Sequence, residues 1–339
     1  MARIRVAVLQ GGRSSEHEIS IASARSVAAG LDPDRYEVRE VTIGRDGRWA
    51  LTAGPAGELG PGGSRLPVPT NGAVPEPLGD VDVVFPVLHG PFGEDGTVQG
   101  LLELAGVAYV GSGVAASALA MDKDQFKSVM RDKGIPVARS LTVRRWDRGR
   151  VESPFGFPLV VKPARLGSSV GISIVRDPGA LEAAVALAFE HDEKILLEEF
   201  VTGIEVECSV LGNEQPIASL VGEIVPLASD WYDYAAKYDD GGMELVVPAR
   251  ISDEATARVQ ELAVGSFVAA DCEGMARVDF FVRPDGQVVV NELNTIPGFT
   301  ATSVYAKLFA ESGIPYEELL DRLVALALER QERRSSLKF

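Results

Sequence analysis

The stretch ARVDFFVRPDGQVVVNELN (276–294) constrains this chain more tightly than any other. Two strand-like runs flank Asp285-Gly286, a dipeptide that favours a two-residue hairpin turn. With that turn Pro284 pairs with Gln287, Asp279 with Glu292 and Arg277 with Asn294. Opposed residues share a face, as do residues two apart on one strand. Arg277, Asp279, Glu292 and Asn294 are therefore expected together at the open end of the hairpin. Val278, Phe280, Val282, Val289 and Leu293 are expected on the other, apolar face. Carboxylates and an amide oxygen are hard ligands suited to Mg²⁺ bridging phosphates. A solvated strand end with an Arg–Glu pair fits the same residues.

At 339 residues the chain is too long for one ordinary core, so two or three domains are expected. A formal net charge of −16 argues against general nucleic-acid binding, which needs a basic footprint. It leaves room for a small anion in a local basic pocket. Cys208 and Cys272 lack CxxC spacing and read as buried thiols of a reducing cytoplasm. The opening MARIRVAVLQGG enters a strand at once, and its apolar run is too short for a signal peptide or a membrane span.

Strand and helix patterns alternate through residues 1–121, as in an open parallel sheet. They include strands near Ile4–Gln10, Tyr36–Ile43 and Val81–Leu88 and a helix over Thr97–Ala105. Residues 53–77 are rich in Gly and Pro and read as a surface excursion without an assignable role. A small α+β unit is expected over 122–211 and a second over 212–339, with a polar, aromatic loop at 229–242.

Four further motifs each carry two readings. VKPARLGSSVG (161–171) has a strand, a lysine and a small-residue loop whose N–H groups would wrap phosphates, or it is an ordinary hairpin. It lacks the spacing of a Walker A loop. ILLEEFVTGIE (195–205) is either a hinge for adenine and ribose or a strand end with solvated acids. QGGRSSEHEIS (10–20) lacks dinucleotide spacing. Its Glu16 is either a counter-ion for a substrate ammonium or part of a helix start capped by Ser15. His89 follows a buried strand, where α/β folds gather ligands, or is a satisfied turn histidine.

Eight segments taken in order change the balance. GGRSSEHEIS (11–20), HGPFGEDGTVQG (89–100), MDKDQFK (121–127), VKPARLGSSVG (161–171), LLEEFVTGIEVE (196–207), WYDYAAKY (231–238), ARVDFF (276–281) and NELNTIPGFTATS (291–303) span nearly the whole chain. The set resembles the D-alanine–D-alanine ligase family of the ATP-grasp superfamily. The resemblance implies a three-domain α/β and α+β architecture, an N-terminal open parallel sheet followed by two ATP-grasp subdomains.

The same resemblance implies a cytoplasmic homodimer that joins two D-alanines through a D-alanyl phosphate, for peptidoglycan synthesis. ATP would lie between the last two domains, with Lys123 and Lys162 on its phosphates. Glu198, the Val201 backbone and Glu205 would hold adenine and ribose. Asp279, Glu292 and Asn294 would hold two Mg²⁺ ions, replaceable by Mn²⁺. Glu16 would bind the first D-alanine's ammonium, linked to Ser168 and Tyr238, with His89 nearby. Arg277 and the Gly298 backbone would stabilise the oxyanion, and Ser303 the second D-alanine's carboxylate. Glu199 departs from the basic residue many relatives carry there, and its side chain is expected to point away from adenine. Tyr238 favours an amine nucleophile over the D-lactate of depsipeptide makers. The Glu16 and Ser303 motifs argue against a biotin-dependent carboxylase, and the full set of lysines and acids against a non-catalytic nucleotide sensor.

Overall fold

The computed structural model describes residues 2–53, 58–59, 64–65, 78, 80–147, 149, 151–227 and 242–338. In the first sheet β1 (Ile4–Gly11) lies parallel to β2 (Tyr36–Ile43) on one side and β6 (Val83–Pro86) on the other. β7 (Ala108–Tyr109) continues the parallel order beyond β6. Val6 and Val8 face one core and Ala7 and Leu9 another, and all four are wholly buried. A strand covered on both faces needs such a continuous apolar run. The expected parallel sheet gains an antiparallel edge, because β3 (Arg48–Ala53) folds back on β2 and buries Trp49. Short strands β4 (Glu58–Leu59) and β5 (Ser64–Arg65) add to β3, so part of the Gly/Pro-rich excursion extends this sheet.

The second sheet is antiparallel, in the order β10 (Ser173–Val175), β9 (Leu159–Pro163), β11 (Lys194–Glu199), β8 (Ser140–Arg144). Helix Leu181–His191 covers its apolar face with Leu181, Val185 and Phe189. The third sheet runs β14 (Met243–Val246), β13 (Ile217–Pro226), β12 (Ile204–Gly212), β15 (Gly274–Val282), β16 (Val288–Asn294). Helix Asp253–Ala269, capped by Ser252 accepting from the Ala255 N–H at 3.2 Å, packs Val259, Leu262 and Phe267 on that sheet. A capping oxygen satisfies one of the donors that a helix start leaves open. β12 pairs with β13 and β15, not with the second sheet. We therefore propose that the boundary expected at 211 lies in the turn before Ile204.

The hairpin differs from its expected form near the turn and agrees with it at the open end. Arg283 N–H donates to Gln287 O and Gly286 N–H to Arg283 O, so the loop has three residues, with Gly286 left-handed at φ 84°. Such a loop offsets the strands by one residue from a two-residue turn. A bulge at Asn291 then restores the offset, and Asp279 pairs with Glu292 and Arg277 with Asn294. Between turn and bulge the faces exchange. Val288 and Val290 join Val278 and Phe280 in the core, while Val289 pairs with Phe281, off the face predicted for it.

Residues 299–327 return to the first sheet. Phe299, Tyr305, Phe309, Leu320 and Leu323 share a core with Val6, Val8 and Phe85. Phe299 stands 5.5 Å from Phe85, 5.5 Å from Tyr305 and 5.9 Å from Tyr316, centroid to centroid. Tilted rings at these distances add to the burial term. Phe299→Ala is expected to cost about 3–5 kcal/mol, because a cavity replaces the ring. Urea unfolding would read it, and a loss under 1 kcal/mol would contradict the packing.

Candidate active site

Two cavities, of about 400 and 460 Å³, meet where Gly167, Ser168 and Glu292 line both. The larger lies between the second and third sheets. Its wall includes Lys123, Lys162, Glu198, Val201, Glu205 and Phe281. The smaller lies between the first sheet's loops and the third sheet, with Glu16, His89, Arg277, Asn294, Gly298 and Ser303 on its wall.

In the larger cavity Lys123 opens helix Lys123–Asp132, whose cap Asp122 accepts from the Gln125 N–H at 3.2 Å. Lys123 Nζ donates to Leu166 O at 2.8 Å and stands 3.4 Å from Glu292 Oε2. Glu198 is gripped from two sides, by Lys162 at 2.8 Å and by Lys127 at 2.9 Å. Burial pushes the Lys127 amine down to about 8. Burial also pushes the Glu198 carboxyl up, but the two ammonium charges outweigh it and hold it below the ordinary carboxylate range. Each lysine takes one oxygen of Glu198, which also stands on the wall of this cavity. Lys127 escaped the sequence reading, although it lies one turn beyond Lys123 on the same helix. Glu199, also on this wall, is held by Arg139 Nε at 2.7 Å and Arg283 at 3.1 Å.

The smaller cavity is framed by two strand exits and a strained loop. Glu16 precedes helix His17–Gly30 in the capping position, and no side chain caps that helix, so Ser15 does not. Ser168 Oγ donates to Glu16 Oε1 at 2.5 Å. Ser168 and Ser169 hold φ of 53° and 57°, a region few non-glycine residues occupy. Gly90 must lack a side chain, because a Cβ there would lie 2.8 Å from Glu16 Oε2 at φ +72°.

His89 Nδ1 lies 3.0 Å from Ile296 O, and Nε2 lies 3.4 Å from Ser23 Oγ. Burial lowers its pKa, so the ring is neutral. A carbonyl only accepts, so the proton is on Nδ1. Glu94 accepts from the N–H of Gly90 at 2.7 Å and of Ile296 at 3.1 Å. Burial, then the nearby Glu16 charge, pushes its carboxyl up to about 8. Ser303 sits at the N-terminus of helix Val304–Glu311, and its Oγ accepts from the Thr300 N–H at 3.0 Å.

On the hairpin face Arg277 forms a fork on Asp279, at 2.7 and 2.8 Å, and reaches Glu207 at 2.9 Å. Asn294 Nδ2 donates to Asp279 Oδ2 at 3.1 Å. Among the described residues no three His, Cys, Asp or Glu side chains stand together as a cation cage. Two carboxylates and an amide on one face still fit Mg²⁺, which takes few protein ligands and fills its shell with phosphate oxygens and water. Lys123 beside Glu292 and Arg277 beside Asp279 show that both carboxylates accept positive partners.

Of the sequence-predicted residues named for these sites, all the described ones line one of the two cavities except Asp279, which pairs with Arg277. Tyr238, Trp231, Tyr232 and Tyr234 of the expected lid lie outside the described residues. No helix among the described residues is long and apolar enough to cross a membrane.

Comparison with known proteins gives matching results from sequence and structure. A family model described as D-ala D-ala ligase N-terminus matches residues 5–112, and one described as D-ala D-ala ligase C-terminus matches residues 129–325. The chain is 47% identical to a D-alanine--D-alanine ligase of Solibacter usitatus over 340 residues, covering 99% of each. Among solved structures it resembles the VanG D-Ala:D-Ser ligase from Enterococcus faecalis, with a TM-score of 0.85, 37% identity and coverage of 96% of this chain and 100% of that one. It also resembles the D-alanine--D-alanine ligase from Bacillus anthracis complexed with ATP, with a TM-score of 0.79, 28% identity and coverage of 98% and 99%.

Proposed function

Because this chain belongs to the D-alanine–D-alanine ligase family, we propose that its two joined cavities hold ATP and two D-alanines on either side of one transfer point. The enzyme is an ATP-dependent ligase that joins D-alanines for peptidoglycan synthesis. The observation that carries the site reading is that Gly167, Ser168 and Glu292 belong to both cavity walls. Whatever occupies one cavity meets what occupies the other at these residues.

The larger cavity takes ATP. Lys123 and Lys162 neutralise its phosphates, and Glu198, Val201 and Glu205 line the end for adenine and ribose. Asp279, Glu292 and Asn294 would hold Mg²⁺, or Mn²⁺ in its stead, which when bound supplies charge neutralisation on the transferring phosphoryl group. Glu16, held by Ser168, faces the first D-alanine's ammonium and orients its carboxylate toward the transfer point. That carboxylate attacks the γ-phosphorus of ATP, the bond to the β-phosphate oxygen breaks and ADP leaves, giving an acyl phosphate, because hydroxide alone is a poor leaving group. The second D-alanine's carboxylate docks at Ser303 on a helix N-terminus, where N–H groups favour an anion. Its amine attacks the acyl carbon, and Arg277 with the Gly298 amide receives the oxyanion. Phosphate leaves with the carbon–nitrogen bond formed. Water must be kept out meanwhile, and residues 229–242 are the proposed cover.

A second reading concerns the second substrate, since the VanG structure is a D-Ala:D-Ser ligase and matches as well. The hydroxyls of Thr300, Thr302 and Ser303 stand on that wall. Purified enzyme with ATP, Mg²⁺ and D-alanine is expected to release ADP and phosphate and form D-alanyl-D-alanine. D-serine and D-lactate offered in competition are expected to be poorer acceptors. A mixed product in excess would reassign the acceptor, and no amino-acid-dependent ADP release would overturn the reading. Family resemblance also supports a homodimer, which light scattering would register as twice the 36.1 kDa chain mass.

A further inference from the structure

Three side chains from the first 94 residues grip the backbone on both sides of Pro297-Gly298. Glu94 Oε1 accepts from the Ile296 N–H at 3.1 Å, and the His89 Nδ1–H donates to Ile296 O at 3.0 Å. Beyond the glycine, Ser23 Oγ accepts from the Phe299 N–H at 3.3 Å. The same hydroxyl lies 3.4 Å from His89 Nε2, which as the unprotonated nitrogen receives its proton. The other Glu94 oxygen is taken by the Gly90 N–H at 2.7 Å, so the carboxyl group cannot turn away without losing two donors at once. Glu94, His89 and Ser23 are all buried or lie on the wall of the smaller cavity beside Gly298.

We infer that Glu94, His89 and Ser23 are positioning residues that set the Gly298 amide against the acyl centre. The inference rests on the reading of Gly298 and Arg277 as the oxyanion site. An oxyanion donor works only when held before charge develops, and a displacement of about 1 Å costs about 10²-fold in rate. A turn containing glycine does not hold itself to that tolerance. Here both the N–H and the C=O of Ile296, two residues before Gly298, are fixed, and so is the N–H of Phe299 directly after it. His89 thereby acts on the backbone as a neutral hydrogen-bonding group, and not as a cation facing substrate. Because the three residues belong to the N-terminal unit and the turn to the C-terminal one, the donor is assembled only where the two units meet.

The test is steady-state kinetics of Glu94→Gln and Ser23→Ala beside the parent enzyme and Arg277→Lys. An amide has one accepting oxygen, so Glu94→Gln cannot serve both N–H groups; Ser23→Ala removes the acceptor for Phe299 with little change of volume. Each is expected to lower kcat at least tenfold while KM for ATP stays within twofold, because the nucleotide cavity is untouched. Glu94→Asp is expected to recover little, since the shorter side chain cannot span Gly90 and Ile296. Nucleotide binding by calorimetry reports that each variant is folded. Parental kcat in folded Glu94→Gln and Ser23→Ala would overturn the inference, as would equal losses in kcat and in ATP affinity. If Arg277→Lys also keeps full activity, the oxyanion reading itself fails; if only the Glu94 and Ser23 variants do, the grip alone is wrong.

Discussion

Glu292→Gln is expected to lower kcat by about 10³-fold or more without unfolding the protein. The substitution keeps the shape of the side chain and removes its charge. Glu292 stands on the walls of both cavities and 3.4 Å from the Lys123 ammonium. An amide is a weaker ligand for a hard cation and does not balance Lys123. Metal-assisted charge stabilisation at a phosphoryl group is worth several kcal/mol, about a thousandfold in rate. The fold has little at stake, because the β15–β16 pairing uses backbone groups that the change leaves alone. Activity within tenfold of the parent, in protein with unchanged circular dichroism, would remove Glu292 from the metal reading. Raising Mg²⁺ should recover part of the loss only if the residue is a ligand.

Arg277→Lys is expected to lower kcat by about 10²–10³-fold with KM for ATP nearly unchanged, the usual cost of losing an oxyanion donor. Lysine keeps the charge that Asp279 and the wholly buried Glu207 require. It lacks the planar fork that meets Asp279 with two nitrogens and Glu207 as well. Arg277→Ala is a poorer probe, because stranding two buried carboxylates would cost about 3–5 kcal/mol of stability and blur the kinetics. Lysine at 277 with full kcat would show that the fork has no part in the chemistry.

What could be read beforehand depended on whether the signal was local. The convergence of Asp279, Glu292 and Asn294 followed from strand periodicity, although the reason for it was incomplete. The three-residue loop and the bulge at Asn291 shift the register in opposite senses, and only between them does Val289 change face. A turn dipeptide does not announce a compensating bulge nine residues from the first strand's end. Helix Val114–Met121 was invisible for another reason. Its sequence VAASALAM is almost wholly small and apolar, so no polar face marks a helical period. Strand β3 was lost in the approach to the Gly/Pro-rich stretch. The partners that hold Glu199, Arg139 and Arg283, lie 60 and 84 residues off. Glu94 stood inside a quoted motif without a role, since Ile296 is 202 residues distant and no pattern along a chain links them. Buried polar contacts between units are the part of the site that a linear reading does not reach.

The return of residues 299–327 to the first sheet bears on how the protein is made. On a ribosome the first 110 residues emerge long before Phe299, Phe309 and Leu323 exist to cover Val6, Val8 and Phe85. The early sheet therefore waits with one apolar face open while the second sheet, whose core lies within residues 159–197, is completed behind it; the third sheet also waits, for Val304 and Leu308 to cover Ile224. Loss of the last helix would leave the oldest part of the chain bare, and a nascent fragment stopped anywhere before residue 299 would be a natural client for chaperones.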